Sequence, residues 1–381
     1  MSDIFTDGEN KLLENGIPKD EENIDIENED FEDISTPYDV SKIDILYEPE
    51  YVDRLVKKYK RGELNLNPDF QRNEVWKEKQ KSRLIESILI KIPIPSFYID
   101  ARDESNWIVI DGLQRLSTII RFMNDEFKLI DLEFLKEIEG DKFSDLDRNF
   151  QRRIEDFKLT MYLIRPNTPE EIALNIFTRI NTLGEPLSQQ EIRHAIYNGK
   201  STILLKELSE SEDFKKTVRP SSSMKKRMND RELILRLLAF KILNFTSYQK
   251  SNNLSIFLAH AMKEINKMDN SELDELKDFF TDAMQKAYLV FEKYAFRKIF
   301  ENDSITRPIN KSLFETFGYF LPKYDIDILT TYKNNIVDNL RHDLTYDIKL
   351  ESSISRATNN IDNVQYRFEK IDQLIKDSLK D

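Results

Sequence analysis

The apolar residues of this chain change their period at Pro166. Upstream, short apolar runs alternate with amphipathic helical stretches; downstream, nearly all of them recur at helical spacing. Such a break argues for two parts of different class in one chain. With 381 residues, two domains are affordable. The chain has eight glycines and no repeat of fixed period, which argues against a β-rich or solenoid body.

Upstream, Ser41–Leu46 alternates like a short strand, and Glu48–Lys60 has helical spacing that stops at Arg61-Gly62. Lys77–Ile90 is a second helix, with Leu84, Ile85, Ile88 and Leu89 on one face. Ile92-Pro-Ile-Pro95 is extended, because each proline disfavours helix in the residue before it. It leads into a strand at 96–100; Trp107–Ile110 is a further, buried strand. Leu113–Met123 is a helix and Leu159–Ile164 a strand. After Pro166, Thr168-Pro-Glu-Glu171 and Ser188-Gln-Gln-Glu191 read as helix starts. Helices follow at 201–210, 230–244, 254–267, 271–298, 309–319, 326–340 and 361–379, with Val218–Arg227 as a polar loop. The expected fold is α+β: a mixed domain over 38–166, then an α-helical domain over 167–381.

Charge separates a third segment. Residues 1–35 hold 13 acidic and two basic side chains, and the rest of the chain nearly balances, with 57 acidic and 55 basic. Residues 1–37 therefore read as a disordered, self-repelling acidic tail. It is either a solubilising segment or a decoy that covers a basic surface until a real polyanion displaces it. The absence of cysteine excludes disulfides, thiolate zinc sites and a cysteine nucleophile. His194, His260 and His342 are too scattered for a histidine-rich metal site. No basic-then-apolar leader opens the chain and no apolar run approaches the roughly 18 residues of a membrane span, so the expectation is a cytoplasmic protein without membrane contact.

The most informative stretch is Ile108-Val-Ile-Asp111-Gly112-Leu113-Gln114-Arg115. A buried strand ends at Asp111, Gly112 turns the chain and a helix begins, which directs backbone N–H groups and the positive helix end at one spot. Gly112 lets a phosphate approach the backbone, Gln114 donates to an oxygen, and Arg115 adds a guanidinium fork. Asp111 is placed to hold Mg²⁺ beside phosphates or to act as an acid or base. The plainer alternative is a turn whose Arg115 pairs with Asp111 or Asp69. Two more stretches stand out. Gln71-Arg72 lies between the aromatic anchors Phe70 and Trp76, and Arg179 and Asn181 close a helix before Gly184. Their plainer readings are a loop pinned by its aromatics and ordinary C-capping. Lys215–Arg236 carries eight basic residues, among them Lys225, Lys226 and Arg227, a pattern suited either to DNA backbone contact or to a solvated face.

In chain order, Pro68-Asp-Phe-Gln71-Arg72 with Trp76, Leu84-Ile-Glu-Ser-Ile-Leu with Pro93-Ile-Pro95, Asp111-Gly-Leu-Gln-Arg115, and Phe177-Thr-Arg179-Ile-Asn181 with Gly184 and Leu187 resemble one family. It is the N-terminal domain of the GmrSD-type restriction endonucleases, also catalogued as domain of unknown function 262. Arg231–Arg236 and Asn310–Phe314 look like later features of the same family. The resemblance implies a fold similar to the ParB and sulfiredoxin superfamily and a role in bacterial defence against modified or foreign DNA. It implies that Asp111, Gly112, Gln114 and Arg115 form a phosphate turn for a nucleoside triphosphate with Mg²⁺. Gln71 and Arg72 would be its partners, and Arg179 and Asn181 would close the pocket. Asp111 and Arg115 would then serve hydrolysis.

Leu113 departs from the family's first glutamine, which puts one polar contact in doubt; it alternatively faces the core. Many members also carry a C-terminal His-Asn-His nuclease, whereas His260, read as a partly buried helix position, and His342 sit in unrelated contexts. The expected function is a nucleotide-binding, NTP-hydrolysing defence protein that lacks this nuclease and acts with DNA and a partner nuclease or effector. The oligomeric state stays open. The rival is a nucleotide- or DNA-sensing module without turnover; direct DNA cleavage through Asp111 lacks the carboxylate cluster it would need.

Overall fold

A computed structural model of the chain describes residues 40–66, 76–180, 188–251 and 253–380. The acidic tail, Asp69, Gln71, Arg72 and Asn181 lie outside these residues. The architecture is α+β, a five-stranded mixed sheet followed by a mostly helical part. The chain divides into two compact units, Thr36–Leu187 and a unit that includes Ser188–Asp381. The first runs on past Pro166, where the change of period placed the boundary. Thr168 Oγ1 accepts from the Asp44 N–H at 2.9 Å and Asn167 Nδ2 donates to Asp44 Oδ2 at 3.0 Å. These bonds tie the chain after Pro166 back to the sheet edge.

The strands are β1 (Ile45–Tyr51), β2 (Leu64–Asn65), β3 (Phe97–Asp100), β4 (Trp107–Asp111) and β5 (Lys158–Ile164), in the order β1-β5-β3-β4-β2. The pairs β1–β5 and β3–β4 are antiparallel, and β5–β3 and β4–β2 parallel. The helices of this unit are α1 (Val52–Lys60), α2 (Glu78–Leu89), α3 (Leu113–Met123), α4 (Arg148–Glu155) and α5 (Glu170–Ile180). One sheet face, with Phe97, Ile99, Val109, Leu159, Met161 and Leu163, shares a core with Ile85 and Ile88 of α2, Leu116 and Ile119 of α3 and Ile154 of α4. Helical spacing misreads the chain at 48–51, where Glu48–Tyr51 belong to β1 and the helix starts at Val52. Pairing of Glu48–Tyr51 with Lys158–Met161 overrides the local pattern, and an edge strand tolerates Pro49.

The second unit holds α6 (Gln189–Ile196), α7 (Lys200–Glu210), α8 (Glu212–Val218), α9 (Ser222–Lys226), α10 (Asn229–Leu243), α11 (Phe245–Ser251), α12 (Leu254–Lys267), α13 (Asn270–Phe291), α14 (Lys311–Phe320), α15 (Ile326–Tyr346), α16 (Ile348–Ser353) and α17 (Ile361–Ser378). The helix read over 271–298 stops at Phe291, because Glu292 takes φ +52° and a 3-10 turn follows. The loop read over 218–227 contains α9, capped by Ser221 and anchored by the buried Met224.

Helix α10 is buried along Glu232–Phe240, so its polar residues must find partners inside. Arg236 Nε donates to Glu315 Oε2 at 2.9 Å, and Arg367 Nη2 donates to Glu315 Oε1. One turn earlier, Glu232 accepts from Arg193 at 2.8 Å and Lys311 at 3.2 Å. Burial pushes the Glu232 carboxyl up, but Lys311, Arg193 and Arg236 outweigh it and hold the group well below the usual carboxylate range. Replacing Glu315 with alanine would leave two buried guanidinium groups without the carboxylate they share. Glu315→Ala is therefore expected to cost about 3–5 kcal/mol, read as a lower urea midpoint by circular dichroism. A loss below about 1 kcal/mol would show that other acceptors satisfy the arginines.

Candidate functional site

Strand β4 reaches the site through an irregular register. Tyr98 lies opposite Asp111 and Ile99 opposite Val109, so Ile110 is an extra residue that bends β4 just before the turn. Gly112 then takes φ +94°, a conformation that costs an L side chain about 1–2 kcal/mol. Space forbids a side chain as well: a Cβ there would fall 2.8 Å from Phe97 Cε1 and closer still to Cδ1. Glycine is thus required on two grounds. Helix α3 starts at Leu113, and Leu116 N–H donates to Gly112 C=O at 2.8 Å. Gly112 offers no side-chain cap, so this helix end keeps its positive partial charge toward the turn.

Arg115, in the first turn of α3, is tightly engaged. Its guanidinium lies 4.7 Å from the Phe97 ring centroid. Nη1 donates to the carbonyls of Pro95 and Ser96, and Nη2 donates to Ser96 C=O at 3.2 Å and Asp111 Oδ2 at 2.9 Å. Burial lowers its pKa while Asp111 pulls it back up. The ion pair foreseen for a plain turn is therefore present. The Asp111 side chain is 39% exposed and that of Arg115 13%, so the carboxylate is the more reachable partner. Gln114 is half-buried in the same helical turn. Leu113 packs against the core, so the departure from the family pattern is a packing residue.

The structure thus brings Asp111, Gly112, Gln114 and Arg115 to one place. Arg179 sits one residue before the end of α5. Gln71, Arg72 and Asn181, with which it was grouped, fall outside the described residues. Sequence reasoning missed Phe97 and the Pro95 and Ser96 carbonyls. The one available signal was the extended Pro93-Ile-Pro95, whose carbonyls need donors that no strand partner was expected to supply.

The basic run does not stay together. Lys215 pairs with Glu212 at 3.0 Å, and Lys216 lies 4.1 Å from the Tyr288 ring centroid. Arg231 Nη1 approaches His194 Nδ1 at 3.4 Å, and Arg236 is fully buried on Glu315. Arg236 therefore belongs to the interior, because α10 is an inner helix. Lys225 and Lys226 are exposed at the end of α9, and Arg227 reaches Glu191 at 3.6 Å. Beneath them Asp230 is buried, which pushes its carboxyl up to about 6 against the pull of Arg231 and Lys225. The two later sequence features meet here, since Glu232 and Arg236 bind Lys311 and Glu315.

Two histidines are corrected or refined. His260 is exposed rather than partly buried, because it lies on the outer side of α12. His342 is exposed on α15, 3.7 Å from Asp343. Among the described residues no three His, Asp or Glu side chains gather as a metal site, and no helix is long and apolar enough to cross a membrane.

These elements define the class: an α+β unit in which an inner strand passes through a left-handed glycine into a helical turn that bears Arg115. The family model described as GmrSD restriction endonuclease, N-terminal domain, matches residues 52–198, so this part of the chain is similar to that family. The match connects the protein to the restriction systems that defend against phage. No curated protein and no solved structure matches the chain.

Gly112→Ala adds overlap with Phe97 to backbone strain. It is expected to destabilise the protein by about 2–5 kcal/mol, the sum of a left-handed alanine and one overpacked methyl. A thermal melt checks this; an unchanged midpoint would show that the turn relaxes without cost.

Proposed function

We propose that the turn Asp111–Arg115 binds the phosphates of a nucleoside triphosphate with Mg²⁺, and that hydrolysis there gates a DNA-restriction response. The observation that carries this reading is the turn itself. Gly112 presses on Phe97 with no room for a side chain, and a helix start without a side-chain cap stands beside Asp111 and Arg115. The 112–115 backbone would face the phosphates, and Gln114 would donate to a phosphate oxygen.

An incoming phosphate competes with Asp111 for Arg115 Nη2. That exchange keeps the guanidinium on its carbonyl anchors and releases the Asp111 carboxylate. One carboxylate beside phosphates suits Mg²⁺, which retains several waters. The ion would neutralise charge developing on the phosphates. Asp111 would hold the ion or orient the attacking water. Gln71, Arg72, Arg179 and Asn181 would close the pocket by family resemblance, and the reaction would proceed in the bacterial cytoplasm.

A second reading, a sensor without turnover, is favoured by Arg115 being already engaged by Pro95, Ser96 and Asp111, and by Leu113 facing the core. Phosphate release from ATP, GTP, CTP and UTP with Mg²⁺, with and without DNA, separates the two, alongside thermal shifts with the same nucleotides. The expected result is release that vanishes in Arg115→Ala. A thermal shift without release would make the protein a sensor. Neither signal with any nucleotide would remove the phosphate site.

DNA contact would fall to Lys225, Lys226 and Arg227, and cleavage to a partner nuclease, since His260 and His342 stand exposed on separate helices. Reversing the three basic residues to glutamate is expected to reduce the salt slope of DNA binding by roughly one for each DNA phosphate left without its cation. An unchanged slope would place the DNA surface elsewhere.

A further inference from the structure

The sheet face opposite the packed core carries a row that leads into the turn. Tyr47 on β1 lies opposite Tyr162 on β5, Tyr162 opposite Tyr98 on β3, and Tyr98 opposite Asp111 on β4. Three tyrosines and the turn carboxylate therefore occupy one line across four strands. The Tyr98 and Tyr162 rings are stacked, with centroids 5.0 Å apart and planes 18° apart. Tyr47 leans on Tyr162 at 5.8 Å. Neighbouring strands are about 4.8 Å apart, so these rings stand on their own strands with their planes facing along the row. Tyr162 thus covers the β5 side of the Tyr98 ring, and the other side of that ring faces β4 and Asp111.

The row itself is reachable, although Asp100, Ile108, Ile110 and Ile164 beside it are buried. Tyr47 is 56% exposed, and Tyr162, Tyr98 and Asp111 are each half-buried. Farther along, Tyr51 lies opposite Lys158, whose ammonium is 5.1 Å from its ring centroid. The same strands send Phe97, Ile99, Leu159, Met161 and Leu163 the other way, into the core.

We propose that the β4-facing side of Tyr98 stacks a nucleobase whose 5′-phosphates rest on the 112–115 turn, with Tyr162 and Tyr47 backing it as a stacking platform. The inference rests on the phosphate reading of the turn and adds the base to it. One strand spacing separates Tyr98 from Asp111, a gap that a ribose spans. Stacking uses the π-face that all bases share, so the four common bases should bind alike. The ligand is a base carrying a 5′-phosphate, supplied either by a free nucleotide or by the end of a single strand lying along the row.

The test compares nucleoside triphosphate with inorganic tripolyphosphate, each with Mg²⁺, by calorimetry on the full chain. Wild type is expected to bind the nucleotide about 5- to 150-fold more tightly, the range of one base–aromatic stack. Tyr98→Leu should abolish that preference while leaving tripolyphosphate affinity unchanged, which also shows that the variant folds. Tyr98→Phe, which keeps the ring, should retain the preference. Equal affinities in wild type, or a preference that survives in Tyr98→Leu, would overturn the base subsite and leave the phosphate turn standing. Failure of both ligands to bind would remove the phosphate reading and this inference with it. A 5′-phosphorylated octathymidylate identifies the source: displacement of the nucleotide, weakened by Tyr47→Leu, marks a strand end, and no displacement marks a free nucleotide.

Discussion

One guanidinium holds the first unit's turn in place. Arg115 projects from the first turn of α3 across the Phe97 ring and donates to Pro95 and Ser96 carbonyls and to Asp111. The prolines at 93 and 95 have no N–H, and this segment enters β3 without a ladder of its own. Its carbonyls still need donors, and a charged donor contributes about 1.5–3 kcal/mol per hydrogen bond. Phe97 serves twice, as the floor under the guanidinium and as the wall that excludes a side chain at Gly112. The entry of β3, the exit of β4 and the start of α3 are joined through these few groups.

The second unit meets a different constraint. Helix α10 is enclosed along most of its length and yet carries Glu232 and Arg236 one turn apart. Glu232 draws Arg193 on α6 and Lys311 on α14, and Arg236 draws Glu315 on α14, which also binds Arg367 on α17. Such pairs are weak sources of net stability, because desolvation offsets most of their attraction. A helix rotated or shifted by one residue would bury these charges without an opposite.

Much of this was legible locally. The strand–glycine–helix reading at Trp107–Met123 rests on apolar period and a turn residue, both properties of neighbouring positions, and the structure has those elements. The capping box at Ser188–Glu191 is equally local and is present, with Ser188 N–H donating to Glu191 Oε2 at 2.5 Å. Local reading failed where partners lie far apart. Glu48–Tyr51 has helical spacing, but seven residues of β5 stand ready to pair with β1. Arg231 and Arg236 looked like parts of a basic surface, because composition does not say which side of a helix is inside.

By itself, then, the sequence determined the class of each part, the glycine turn and the family resemblance of residues 52–198, since apolar period, turn chemistry and motif order are all written along the chain. Only the tertiary structure decided what Arg115 holds, why Gly112 can have no side chain, and which tyrosines line up with Asp111. Those facts depend on register and on contacts between residues tens of positions apart. A one-residue slip of β3 against β4 or β5 would send Tyr98 to the opposite face and dissolve the row.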